Sequence, residues 1–198
     1  MTTIDHITLE VADPASAAGF YTSLGLDDRV RLRSGGVPGD GFSGFTLSLV
    51  ASQPGTVDAL VAAAVEAGAT VLKPASKSLW GYGGVVTAPD GTIVTVASSS
   101  KKDTGPATLK VDDVVLQLGV DDVAASKRFY AERGFTVAKS FGRKYAELDT
   151  GAVTLTLNRR KDLAKVAGVD PAGAGAHGVV IGGADGAFTD PDGFRWES

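Results

Sequence analysis

The apolar and polar residues of this chain follow a pattern that occurs twice. Residues 11–26 read VADPASAAGFYTSLGL, and residues 120–135 read VDDVAASKRFYAERGF. Each segment starts at the end of an alternating, strand-like run, passes an acidic turn and continues with apolar residues at helical spacing. A Phe-Tyr pair then stands at the same distance before a glycine in both copies. This repetition predicts a duplicated supersecondary unit.

Periodicity predicts the same order of elements in each half. In the first half the predicted strands cover 4–11, 29–33, 45–51, 69–72, 84–87 and 92–97. In the second half they cover 114–120, 135–139, 144–148, 153–158, 177–181 and 194–197. The predicted helices cover 14–24, 57–67 (with Thr56 as N-cap), 123–133 and 161–167. The order β-α-β-β-β is complete at 45–98 and 112–158, whereas the two end segments are abbreviated copies.

A second repeated marker closes each half. Pro-Asp-Gly at 89–91 and again at 191–193 predicts a turn before a last strand. Between the halves, the polar, Gly-Pro-containing segment is typical of a linker. We therefore expect two tandem abbreviated domains, 1–100 and 112–198, joined by a linker at 101–111. Two pairings stay open: each half forms its own sheet, or the complete middle units pair together and the end units pair separately.

Composition narrows the functional classes. Hydrophobic residues make up 43% of the 198 residues, which is enough for a folded core. The formal net charge is −4 and no long basic run is present, so a nucleic-acid partner is not expected. No apolar run reaches the roughly 18 residues of a membrane span, so no membrane partner is expected either. The chain has no cysteine, which fits a cytoplasmic protein without disulfides or thiolate metal sites.

The repeated unit resembles the vicinal oxygen chelate superfamily, which includes glyoxalase I, bleomycin-resistance proteins and extradiol dioxygenases. The resemblance rests on Phe-Tyr before a helix-ending glycine, on LKPASKSLWGYGG at 72–84 and on DPDGFRWE at 190–197. It implies an α+β fold of repeated βαβββ units, in which curved mixed sheets form a cup. A cup of this kind buries a small-molecule ligand.

The resemblance implies three functions, and the residues do not choose among them. The first is a glyoxalase-like protein that binds a small organic molecule in the cup, as a lyase or isomerase if it is an enzyme, with His6 or Glu197 as the catalytic general base. The second is a non-catalytic protein that sequesters a drug or metabolite, as bleomycin-resistance proteins do. The third is a metal-dependent dioxygenase. Because such proteins often pair units between chains, a homodimer is the alternative to a monomer.

Metal-using members of this superfamily place a histidine on the first strand of a unit and a glutamate on its last strand. The matching residues here are His6, His177 and Glu197, so neither half has more than two ligands. The other matching positions hold Phe45, Thr95, Val115 and Leu155. A catalytic divalent ion normally takes three protein ligands, so no cofactor is expected. The alternative is a divalent metal held by all three matching residues if the end units pair.

Candidate ligand-binding residues lie in two further stretches. Trp80 and Tyr82 are flanked by glycines in SLWGYGG and could line the cup by stacking on a ligand. The competing interpretation places Trp80 in the core. Arg143 could hold a carboxylate or phosphate at the rim of the cup beside Tyr145, unless this is an ordinary charged hairpin. Lys77 is a candidate of the same kind.

Overall fold

The computed structural model describes residues 2–35, 41–173, 178–183 and 186–198, which form an α+β fold of two mixed sheets with helices. The helices are Pro14–Ser23 (α1), Pro54–Glu66 (α2), Val123–Glu132 (α3) and Arg160–Ala167 (α4). The strands are His6–Val11 (β1), Val30–Ser34 (β2), Phe45–Val50 (β3), Thr70–Ser78 (β4), Gly81–Thr87 (β5), Ile93–Ser98 (β6), Asp113–Val120 (β7), Thr136–Phe141 (β8), Tyr145–Asp149 (β9), Thr154–Arg159 (β10), Val179–Gly182 (β11), Phe188–Thr189 (β12) and Arg195–Glu197 (β13). No helix in the described part of the chain is long and apolar enough to cross a membrane.

The two copies of the repeated helix begin and end in the same way. Asp13 caps α1 and Asp122 caps α3, because each carboxylate accepts hydrogen bonds from two backbone N–H groups of the first turn. After the last turn, Gly25 and Gly134 adopt φ values of 65° and 84°. Such positive values favour glycine. The shared ends of the two segments therefore follow from capping chemistry.

Helix α2 and strand β4 differ from the predicted boundaries. Helix α2 begins at Pro54, because the fixed φ of proline suits the first helical position, and Thr56 lies inside the first turn instead of capping it. Strand β4 continues to Ser78 rather than ending at residue 72, with shifts of register on the way. The β4–β5 hairpin therefore carries Leu79 and Trp80 at its tip.

The pairing of the strands settles which units join. The two complete units form an eight-stranded sheet of order β4-β5-β6-β3-β7-β10-β9-β8, joined by the antiparallel pair β3–β7. The two end segments form a five-stranded sheet of order β12-β13-β11-β1-β2, joined by the antiparallel pair β1–β11. Of the two pairings left open by the sequence, the second is therefore observed. Each sheet takes strands from both halves of the chain, and the boundaries 1–100 and 112–198 stay a prediction.

One face of each sheet is apolar and packs against helices. In the eight-stranded sheet this face carries fully buried aliphatic side chains: Leu47, Leu49, Val94, Val96, Leu116, Leu118, Leu155 and Leu157. Ile7 and Leu9 of β1 bury the corresponding face of the five-stranded sheet. All of these side chains belong to one hydrophobic cluster, so the two sheets share a core.

The Phe-Tyr pairs connect the repeated helices to the Pro-Asp-Gly turns. The hydroxyl of Tyr21 donates to Asp90 Oδ2 at 2.7 Å, and that of Tyr130 donates to Asp190 Oδ2 at 2.6 Å. In the second copy the acceptor is the residue before the tripeptide, and Asp192 accepts instead from the hydroxyl of Ser126 at 2.9 Å. The two sequence markers recur together because each helix is bonded to a turn.

Candidate functional site

Each sheet turns its polar side chains to the face that the core does not occupy, since successive residues of a strand point to opposite faces. The register of the strands defines what we call the polar face of the eight-stranded sheet: Thr46, Ser48, Thr95, Asp113, Gln117, Tyr145, Glu147, Thr154, Thr156 and Asn158. It also defines the charged face of the five-stranded sheet: His6, Thr8, Glu10, Arg31, Arg33, Arg195 and Glu197.

The polar face has hydrogen-bonding groups that the protein does not use. Thr46, which is fully buried, donates its hydroxyl to Gln117 Oε1 at 2.9 Å. The side-chain amide of Asn158 donates to the hydroxyl of Thr156 at 3.0 Å. Within the described residues, the amide N–H groups of Gln117 and Oδ1 of Asn158 have no protein partner. The face therefore offers both donors and an acceptor.

One side of the polar face ends in a carboxylate whose two oxygens are both bonded. Glu147 accepts from the Tyr145 hydroxyl at 2.8 Å and from Lys139 Nζ at 3.0 Å. Burial acts to raise the pKa of Glu147, but these two hydrogen bonds lower that pKa below its usual value. Burial, together with the hydrogen bond to Glu147, raises the pKa of Tyr145. Glu147 is therefore ionised and paired near pH 7.

Helix α4 packs at one end of the polar face. Its Leu163 lies in a small apolar cluster with Phe42, packed against Ile93 of β6. From β4, Lys73 Nζ donates to two carbonyl oxygens of the last turn of α4, at 3.0 Å and 2.6 Å. Because a cation at a helix C-terminus also interacts favourably with the helix dipole, Lys73 fixes α4 in place.

The charged face brings two of the predicted site residues to one side of the five-stranded sheet. His6 and Glu197 both pair in register with Gly182 on the strand between them. Two strand spacings put their Cα atoms about 10 Å apart. The imidazole of His6 lies over Gly182, since a Cβ at that position would come within 2.4 Å of the ring. Glycine therefore makes room for the histidine.

Most charges on this face pair with each other. Arg33 binds Glu10 at 3.0 Å and Glu197 at 3.2 Å, and Arg195 binds the second oxygen of Glu10. Arg31 differs, because it has no carboxylate partner in the described part of the chain, and its Nη1 lies 3.1 Å from His6 Nε2. These ion pairs thus involve both glutamates of the face and leave the guanidinium of Arg31 without a carboxylate partner among the described residues.

The contact with Arg31 fixes the protonation of His6. A guanidinium only donates hydrogen bonds, so Nε2 accepts and the proton of the neutral ring lies on Nδ1. Burial of the ring, followed by the charge of Arg31, lowers the pKa of His6 below its usual 6.5. Nδ1 is buried and has no partner among the described residues. His6 is therefore neutral at pH 7, with one nitrogen already in use.

The donors on the charged face do not fit a divalent metal. His6 Nε2 and Glu197 Oε2 are each occupied by a guanidinium, which a metal would have to displace. His177, the third predicted ligand, lies outside the described residues. No group of three or more histidine, cysteine, aspartate or glutamate side chains in the described ranges could hold an ion.

The predicted ligand-binding residues do not share a face. Trp80 is 84% exposed at the β4–β5 tip, so the interpretation of this ring as a core residue is wrong. Tyr82 lies on the helix-covered side, where its hydroxyl donates to a carboxylate of α2 at 2.8 Å. Lys77 is exposed in β4, and Arg143 is exposed between β8 and β9. Among these candidates, Tyr145 lies on the polar face.

Sequence reasoning missed several residues of the two faces. Phe45 and Leu155, matched to metal-ligand positions, lie on the helix-covered side, and their neighbours Thr46 and Thr156 lie on the polar face. A shift of one residue in a strand moves a side chain to the other face. The sequence does contain a signal for Gln117: in VVLQLGV it is a polar residue between two leucines, so it points to the face opposite theirs.

Solved structures with the same fold cover nearly the whole chain. Glyoxalase I from Zea mays superposes with a TM-score of 0.66 at 16% identity, covering 99% of this chain and 91% of that one. A candidate dioxygenase from Bacillus subtilis superposes with a TM-score of 0.59 at 12% identity, covering 98% and 84%. No family model and no curated protein sequence matches the chain. The chain therefore has the vicinal oxygen chelate fold, as the repeated markers predicted.

Proposed function

We propose that this protein of the vicinal oxygen chelate fold binds a small polar organic molecule on the polar face of its eight-stranded sheet. The supporting observation is the set of unused groups at Gln117 and Asn158, which lie beside the buried hydroxyls of Thr46 and Thr156. Gln117 and Asn158 are half-buried, so these groups are accessible from outside the protein. A ligand with hydroxyl or amide groups would complete these hydrogen bonds.

The chemistry of the face favours a neutral ligand. Its centre carries hydroxyl and amide side chains without a charge. The carboxylate of Glu147 is already paired with Lys139, so it adds no free charge of either sign. Since burying an unpaired charge is costly, a neutral molecule rich in hydroxyl and amide groups suits this face better than an ion.

The same geometry favours binding without catalysis. The two predicted catalytic residues, His6 and Glu197, lie on the charged face of the other sheet and contact guanidinium groups. Glu147 has both oxygens bonded, and Asp113, at the first residue of β7 on the same face, accepts from the Thr154 hydroxyl at 2.9 Å. We therefore place a drug- or metabolite-sequestering function before a lyase or isomerase. The metal-dependent dioxygenase ranks last, and the homodimer and the cytoplasmic location stay predictions.

The test uses a panel of neutral sugars and small amides in isothermal titration calorimetry. We expect at least one of these probes to bind, and Gln117→Leu to weaken that binding at least tenfold, because leucine keeps the volume and removes the amide. Ser99→Ala, in an exposed bend away from both faces, is the control. Equal affinity of wild type and Gln117→Leu, or no heat with any probe, would overturn the proposal.

A further inference from the structure

The charged face retains one positive charge that no described carboxylate balances. It carries three arginines and two glutamates. Both glutamates are bonded to Arg33 or Arg195, which leaves Arg31 as the excess cation. A face with this balance attracts anions rather than cations.

Arg31 has two neighbours on the charged face. His6 Nε2 accepts a hydrogen bond from one guanidinium nitrogen at 3.1 Å, which holds the side chain over the sheet. In the sheet, Arg31 pairs in register with Thr8, whose side chain lies on the same face. Thr8 is buried, and its hydroxyl has no hydrogen-bond partner in the described ranges. Arg31 and Thr8 thus occupy paired positions on neighbouring strands of the same face.

We propose that Arg31 and Thr8 form a second binding site, for the carboxylate of a small organic anion. The planar guanidinium of arginine matches the two oxygens of a carboxylate, and the threonine hydroxyl adds a third hydrogen bond. Glu10 and Glu197 border the site, so they repel a second negative charge and favour a monocarboxylate. A divalent metal at this place was the alternative to the expected absence of a cofactor, and in the proposed site a guanidinium supplies the positive charge instead.

His6 acts in this site as a positioning residue. Its accepting nitrogen holds Arg31, and the absence of a side chain at Gly182 lets the ring occupy its place. Replacement of His6 by leucine would free the guanidinium without removing its charge. Binding of the anion would then have to order the mobile Arg31 side chain, which costs entropy. This cost should weaken anion binding less than removal of the Arg31 charge does.

The test is an NMR titration of the whole protein with sodium acetate, with sodium chloride at equal ionic strength as the reference. We expect amide shifts in β1 and β2, an affinity at least tenfold weaker in Arg31→Gln, and an intermediate affinity in His6→Leu. Arg128→Gln, which removes an exposed arginine from α3, is the matched control and should bind as wild type does. Equal affinity in Arg31→Gln, or the same shifts with chloride, would overturn the site.

A metal arm separates this site from a metal centre. Acetate binding should persist in excess EDTA, and added Mn²⁺ should not raise the melting temperature. Loss of acetate binding in EDTA, or its recovery with Mn²⁺, would show that a metal rather than Arg31 holds the anion. The titration also separates this proposal from the proposed function. Shifts confined to β3 and β7 would indicate that acetate binds the polar face, and the site at Arg31 would then be wrong.

Discussion

Tyr130 shows at the scale of one residue how a hydroxyl secures the repeated fold. Its buried ring donates to Asp190 and accepts a hydrogen bond from the indole of Trp196 at 3.3 Å. We expect Tyr130→Phe to lower the free energy of unfolding by about 1–3 kcal/mol, because both partners lose a hydrogen bond in the core. Urea denaturation measures this loss. Tyr82→Phe, which removes a hydroxyl bonded to an exposed carboxylate, should change stability by less than about 1 kcal/mol.

The pH dependence of the same variant gives a second measurement of this bond. Burial, with the charge of Asp190, raises the pKa of Tyr130 well above its ordinary value of about 10. Ionisation is therefore harder in the fold than in the unfolded chain, so the stabilisation is complete below pH 10 and is lost as the pH rises. Wild type should lose stability above pH 10 more steeply than Tyr130→Phe. Parallel profiles would contradict the role of this hydroxyl.

At the scale of the element, local sequence patterns were sufficient to predict the helices and the order of strands, but not to predict how distant strands pair. The repeated helices and the order of strands followed from periodicity, from Asp13 and Asp122 as caps, and from Gly25 and Gly134 as stops. The sequence left the pairing of the end segments through β1 and β11 as one of two alternatives, because no local signal specifies which distant strand joins another. The role proposed for Arg31 could not be predicted for the same reason. Among the described residues, Arg31 lacks a carboxylate partner because the glutamates of β1 and β13 pair with other arginines, on β2 and β13.

Helix α4 allows a test of how one element is held on a sheet. Lys73→Met keeps much of the side-chain length and removes the charge that binds the carbonyl oxygens of Lys165 and Val166. We expect the loss of about 0.5–1.5 kcal/mol of stability and faster hydrogen exchange in the last turn of α4. Lys77→Met, an exposed site on the same strand, is the control. Equal exchange rates in the two variants would show that Leu163 packing alone holds the helix.

At the scale of the whole molecule, the segment between the halves is bound to the fold. Gln53, at the start of α2, accepts from the backbone N–H groups of Thr104 and Gly105. Its side-chain amide donates to the carbonyl oxygens of Gly105 and Pro106, both at 2.9 Å. The predicted linker at 101–111 is therefore fixed along this stretch, and each sheet contains strands from both sides of it.

Separate expression of 1–110 and 111–198 tests whether each half folds by itself. Cutting there leaves β3 without β7 and β1 without β11, so each fragment exposes an unpaired strand edge beside apolar side chains. We expect neither fragment alone to show a cooperative thermal transition by circular dichroism, and the co-expressed pair to elute as a one-to-one complex that does. A sharp transition in isolated 111–198 would instead support 112–198 as an independent domain. The contrast is decisive because a domain with its own core unfolds cooperatively by itself, whereas half of a shared sheet does not.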